Sequence, residues 1–174
     1  MKKLFLLSFA TLAMVFTACD TKTENANNET TTDNTETTEE VKGTTYEGEK
    51  FTLVYPESFK ETYKSEEMVN ASSEDGAIKL DATFNDMGPT LDQLKVYAEN
   101  YSGMMKSQGA TVEEPNIDGN NLTIKSVKDG EVNMHFVVMK EDKIGVSGSL
   151  KYPEDKAGEC EPMIKNIMSS IKFK

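Results

Sequence analysis

Four hydrophobic patterns succeed one another along this 174-residue chain. Residues Leu4–Phe16 form a dominantly apolar run behind Lys2 and Lys3. Residues 20–44 carry almost no apolar side chains. From Phe51 onward, apolar residues recur at every second position, the period of a strand with one buried face. Two stretches, 91–105 and 160–171, switch to spacings of three and four, the period of an amphipathic helix.

These patterns predict an ordered list of elements. Phe51, Leu53 and Tyr55 mark a strand that stops at Pro56, which cannot continue a hydrogen-bond ladder. A hairpin follows, with a strand from Glu67 to Ser72, the turn Ser73-Glu74-Asp75-Gly76, and a return strand from Ala77 to Phe84. Thr90 with Gln93 three residues later reads as a capping box. Leu91, Leu94, Ala98, Tyr101 and Met105 then form a core-facing helical stripe that Gly109 ends. A short strand at Thr111–Glu114 leads into a meander of Asn121–Val127, Val132–Lys140 and Ile144–Tyr152, joined by Lys128-Asp129-Gly130-Glu131 and Glu141-Asp142-Lys143. Asn116-Ile117-Asp118-Gly119-Asn120 reads as a hairpin turn, because it lacks the alternating acidic ligands and closing glutamate of a calcium loop. After Tyr152-Pro153 a last helix carries Cys160, Met163, Ile164, Ile167, Met168 and Ile171 on one stripe, with Pro162 expected in its first turn.

Strand parity gives the architecture. Ile78, Leu80, Ala82, Phe84, Leu122, Ile124, Val132, Met134, Phe136, Val138, Ile144, Val146 and Leu150 are assigned to one face. Lys79, Asp81, Thr83, Thr123, Lys125, Asn133, His135, Ser147, Ser149 and Lys151 are assigned to the other. Such alternation predicts an antiparallel sheet of about five to six strands, packed on one face and at least partly wet on the other, with two amphipathic helices available to cover the apolar face. The class is α+β.

This order, with Phe51-Thr52-Leu53-Val54-Tyr55-Pro56 and Phe59 at its start, Thr90-Leu91-Asp92-Gln93-Leu94 opening the long helix, and Lys151-Tyr152-Pro153 before the last helix, resembles the PsbP-like fold. Extrinsic photosystem proteins, Ran-binding Mog proteins and many small bacterial lipoproteins share that fold. The resemblance spans residues 45–174 and rests on element order and the Tyr-Pro punctuation. It implies a binding or accessory domain rather than an enzyme, and carries over no site residue, since no catalytic signature is shared.

The amino terminus has the form of a bacterial lipoprotein signal. Lys2 and Lys3 supply the positive region, and the apolar run is too short for a permanent membrane span, which needs roughly 18–20 residues. Phe16-Thr17-Ala18-Cys19 resembles a lipobox, with Phe16 in place of the usual leucine, so residues 1–18 are expected to be removed and Cys19 lipidated. Residues 19–44, rich in Thr, Glu and Asn, are expected to be a disordered tether, because they cannot bury enough surface to offset their ordering entropy. Residues 45–174 form the single globular domain. The expected location is the cell envelope, outside the cytoplasm, on a membrane held through Cys19. Cys160 is then the remaining thiol, and no intramolecular disulfide can form.

Charge narrows the partners. The net charge is −11, and removal of residues 1–18 would take two further lysines. All nineteen basic residues are lysine, so the bidentate grip of arginine on phosphate is missing, and Trp is absent as a stacking platform. Nucleic-acid binding is excluded on this ground. His135 is the one histidine, and no Ser/His/Asp, Cys/His or zinc spacing surrounds it, so no metal, cofactor or catalytic residue is assigned. Met104, Met105, Met134, Met139, Met163 and Met168 are soft-ligand candidates, four of them on stripes assigned to the core, where methionine fills gaps. Lys125, Asn133, His135 and Lys151 are the candidate binding surface, a less negative face suited to an acidic or neutral polar partner. The expected function is a non-catalytic envelope lipoprotein that binds a protein or small ligand. The alternative is an envelope enzyme or hydrophobic-ligand carrier, with its site around His135 or in a Met-lined pocket.

Overall fold

The structure, a computed structural model, describes residues 43–174. The expected signal peptide, the expected lipidation site Cys19 and the expected tether up to residue 42 lie outside the described residues.

Among the described residues, eleven strands build two antiparallel sheets. The small sheet has three strands in the order β1-β2-β11: β1 (Thr44–Glu47), β2 (Phe51–Tyr55) and β11 (Lys172–Phe173). The large sheet begins with β3 (Phe59–Lys64), β4 (Met68–Ser73) and β5 (Lys79–Phe84). It continues through β6 (Thr111–Val112), β7 (Asn116–Asp118), β8 (Asn121–Lys128), β9 (Glu131–Lys140) and β10 (Lys143–Pro153). Its order is β3-β4-β5-β10-β9-β8-β6, with β7 also paired to β8. The class is α+β, with more strands than the periodicity predicts. β1 (Thr-Thr-Tyr-Glu) and β3 (Phe-Lys-Glu-Thr-Tyr-Lys) escape it because each is a mainly polar, exposed run with one buried aromatic, Tyr46 and Phe59.

Helix α1 (Leu94–Ser107) follows a single 3-10 turn at Leu91–Gln93. The Thr90 amide donates to Gln93 Oε1 at 3.2 Å, the reciprocal half of the expected capping box, and Gly109 ends the helix with φ +87°. Leu91 belongs to the turn and is 41% exposed, so the stripe starts at Leu94 rather than Leu91. Helix α2 (Ala157–Ser170) buries Cys160, Ile164, Ile167 and Met168, at roughly 1.5–3 kcal/mol for each full-sized apolar side chain. Pro162 lies inside α2 rather than in its first turn. A preceding 3-10 turn, Glu154–Lys156, hands over to the α-helix at Ala157, and the proline falls one turn further on. With no amide at Pro162, the Gly158 carbonyl has no i+4 donor.

The two helices cover opposite faces of the large sheet, not one face. On the first face, α2 and the small sheet pack over Leu80, Ala82, Val132, Met134, Phe136, Val146 and Leu150. On the second, α1 packs over Leu122, Ile124, Val137 and Met139. The central strand β9 is therefore buried on both faces from Met134 to Met139.

Turn chemistry explains why Leu122 and Ile124 leave the face expected of them. Asp129 (φ +54°) and Gly130 (φ +77°) form a two-residue hairpin that pairs Lys128 with Glu131. Across such a hairpin, even positions of β8 face odd positions of β9, so Leu122 lies beside Val137 and Ile124 beside His135. The β9–β10 hairpin would reverse parity in the same way, but a register shift between Ile144 and Val146 restores it. Gly145 occupies that bulge, where an added Cβ would lie 2.3 Å from the Phe173 ring.

Candidate functional site

Part of the face that the sequence presents as at least partly wet, on β8 and β9, is roofed by α1, while Lys79 and Lys151 on β5 and β10 stay exposed. His135 is 8% exposed. Tyr101 stacks on its imidazole at 4.2 Å between centroids and 13° between planes, and Tyr97 places its hydroxyl 3.0 Å from Nε2. Asn133 Nδ2 donates to the Tyr101 hydroxyl at 3.2 Å. On the neighbouring strands, Ser149 Oγ donates to Asp81 Oδ2 at 2.5 Å, and the register sets Asp81, Ser149 and His135 side by side. Burial pulls the His135 pKa down to about 4, against the opposing pull of the Asp81 charge and the Gly148 carbonyl. Burial also raises the Tyr97 and Tyr101 hydroxyls. The histidine is thus a neutral packing element whose ring nitrogen is already engaged. The tyrosines that cover it were visible on α1 at a spacing of four, but nothing local showed that their stripe faces the polar side of the sheet.

The four residues of the candidate surface do not share a face. Asn133 and His135 lie beneath α1. Lys151 is exposed beyond the end of that helix, where it and Asn133 line a hollow of about 400 Å³ beside Met105. Lys125 projects on the opposite face, towards α2, because the hairpin pairs it with Met134 rather than with His135.

There Lys125 enters a groove of about 780 Å³ between α2 and the β6–β8 edge of the sheet. Its Nζ lies 2.9 Å from Glu161 Oε1 on α2 and 2.9 Å from Glu113 Oε1, just past β6. The Lys125 side chain is 22% exposed, and the hydrogen bonds to Glu161 and Glu113 hold its ammonium well above the ordinary lysine range. The lysine therefore straps one wall of the groove to the other, and its charge is spent on that strap. The Glu113 amide also donates to the Lys125 carbonyl at 3.0 Å, fixing this wall to β8.

Met134, Ile164 and Met168 contribute apolar surface to the groove, and Glu114, Asp118 and Lys165 add charge. Gly158 and Pro162 also line it, placing the helix position that lacks an amide partner at the groove wall. Behind the strap, Tyr152 is 0% exposed, and its hydroxyl has no hydrogen-bond partner. Burial first, then the Glu161 charge, pushes that phenol up to about 12. The acids are spread along the walls rather than gathered at a point. Among the described residues, no three His, Cys, Asp or Glu side chains stand close enough to share a metal ion.

Cys160 turns away from the groove into the core, where burial and then the Glu159 charge raise its thiol to about 11. It is packed as a small hydrophobe.

No protein-family profile and no curated protein matches this chain. Among solved structures, it is similar to the solution structure of cyanobacterial PsbP (CyanoP) from Synechocystis. The TM-score is 0.53 at 12% identity, over 75% of this chain and 92% of that one. A crystal structure from Bacteroides thetaiotaomicron matches at TM-score 0.48 and 11% identity, over 77% of this chain and 49% of that one. The first of these likenesses is one of fold, and the described residues have the PsbP-like α+β fold.

Proposed function

We propose that this protein is a non-catalytic binding or accessory module of the bacterial cell envelope, lipid-anchored through Cys19 and working through the groove between α2 and the β6–β8 edge. The groove itself carries the reading: about 780 Å³, with apolar side chains below and charged ones around it, a form suited to holding a ligand. The buried state of His135 supports a non-catalytic role, since its imidazole is stacked on Tyr101 and bonded to Tyr97. The PsbP-like fold of the cyanobacterial neighbour is consistent with an accessory protein by analogy. Met134 and Met168 in the groove favour an occupant with an apolar part, which keeps the carrier reading as the second choice.

Two measurements test the reading. Isotope-labelled protein titrated with solubilised envelope fraction should show amide shifts clustered at residues 113–125 and 158–169. Shifts centred beneath α1 or on the small sheet would refute the groove. In cells, Cys19→Ser should leave an unprocessed precursor free of radioactive fatty acid, and unchanged labelling would refute the anchor.

A further inference from the structure

We propose that the groove accepts an extended, lysine- or arginine-bearing peptide segment of another protein, with basic and apolar side chains alternating along it. The proposal rests on the groove being the binding site, and names the chemistry that the site selects.

Charge decides the sign. Lys125 is the more enclosed of the two lysines that line the groove, and Glu161 and Glu113 already neutralise it at 2.9 Å each. Glu114 and Asp118 remain, against Lys165 alone. An incoming anion would have to displace a glutamate from Lys125 and then face the other acids. An incoming ammonium or guanidinium finds carboxylates along the walls.

Hydrogen bonding points the same way. The Gly158 carbonyl, on the α2 side of the groove, lacks an i+4 amide because Pro162 stands there. The Tyr152 hydroxyl is fully buried, unpartnered and set in the fields of Glu161, Lys125 and Glu113. It is a donor that the fold leaves unused.

An extended peptide fits better than a small amine because a strand edge borders the groove. Strand β7 pairs with β8 alone, its three residues are exposed, and Asn116 and Asp118 line the groove. Its outer backbone edge can take another strand, and a strand alternates its side chains at a period of two. One set then meets the acids, and the other meets Met134, Ile164 and Met168. The same charge argument excludes two other occupants. The chain's own residues 20–42 are acid-rich, and a second copy carries the same net charge of −11.

The test uses the full chain and two fluorescent synthetic peptides of about eight residues, one alternating Lys and Leu, the other Glu and Leu, followed by anisotropy in ~0.15 M salt. The Lys-Leu peptide should bind at least ~10-fold tighter than the Glu-Leu peptide. Glu113→Gln with Glu161→Gln should weaken Lys-Leu binding by ~5-fold or more. Lys125→Met should strengthen it, because two carboxylates lose their internal cation. Glu99→Gln, within α1, and Asp92→Asn, in the 3-10 turn before it, should change nothing. Equal loss in these two variants would show mere attraction to an acidic surface and overturn the proposal. So would weaker binding by Lys125→Met in a variant that melts like the wild type. Tighter binding of Glu-Leu, shifted at residues 113–125, would overturn the basic occupant while keeping the groove as the site. Binding of neither peptide, together with shifts elsewhere under envelope fraction, would overturn both. A gain of affinity on deleting residues 20–42 would mean that the chain's own segment is the occupant, and would also overturn the proposal.

Discussion

His135 offers the sharpest test of the packing beneath α1. In the folded protein its pKa is drawn down to about 4, whereas in the unfolded chain it titrates near the ordinary ~6.5. The unfolded state therefore binds more protons between these values, and stability falls as pH is lowered. The contribution is fully present above about pH 6.5, declines through the window, and is exhausted below about pH 4. Between pH 7.5 and 4.5, linkage over roughly two pKa units amounts to about 2–2.5 kcal/mol. Acids titrate over the same range, so the quantity to measure is a difference between two proteins. Urea unfolding of wild type and His135→Gln at a series of pH values should give curves that diverge as pH falls. The wild type should lose about 2 kcal/mol more than the variant between pH 7.5 and 4.5. Whatever the substitution costs at neutral pH cancels from this comparison. Parallel profiles would refute the reasoning, because they would mean that His135 takes up its proton in the folded state as readily as in the unfolded one. An imidazole resonance titrating near pH 6.5 in the folded protein would say the same.

Three further outcomes follow from particular contacts. Gly145→Ala drives a Cβ to within 2.3 Å of the Phe173 ring and should cost about 1–3 kcal/mol in thermal unfolding, whereas Gly103→Ala, with open space around it, should be neutral or stabilising. Tyr46→Ala should cost about 3–5 kcal/mol, because the side chain is fully buried. Tyr46→Phe should lose only about 1 kcal/mol, from the 2.8 Å hydrogen bond to the Ser65 carbonyl. Cys160 should react with a thiol reagent far more slowly in the native protein than in denaturant. Comparable rates would place it outside the core.

Local chemistry alone sets a good part of this molecule. Thr90 with Gln93 starts the helical segment, Gly109 ends it, and Asp129-Gly130 dictates a two-residue hairpin, each through contacts only a few residues apart. The apolar spacing of α2 likewise foretells the burial of Cys160, Ile164, Ile167 and Met168, since a helix of fixed period has one inward stripe. What periodicity cannot carry is the relation between elements. The parity of β8 relative to β9 depends on how a turn sets register, and that of β10 on a bulge that Gly145 permits beneath a ring from the far end of the chain. These two facts move Lys125 to the α2 side and leave Asn133 and His135 under α1. The polar row that the sequence reads as at least partly wet is covered only where Tyr97 and Tyr101 bond to His135 and Asn133, so those two residues mark an interface with α1, while Lys79 and Lys151 stay exposed. The groove is likewise invisible in the sequence. Its walls come from residues 113–134 and 158–169, and only the packing of α2 against the sheet brings Glu113 and Glu161 onto the same lysine.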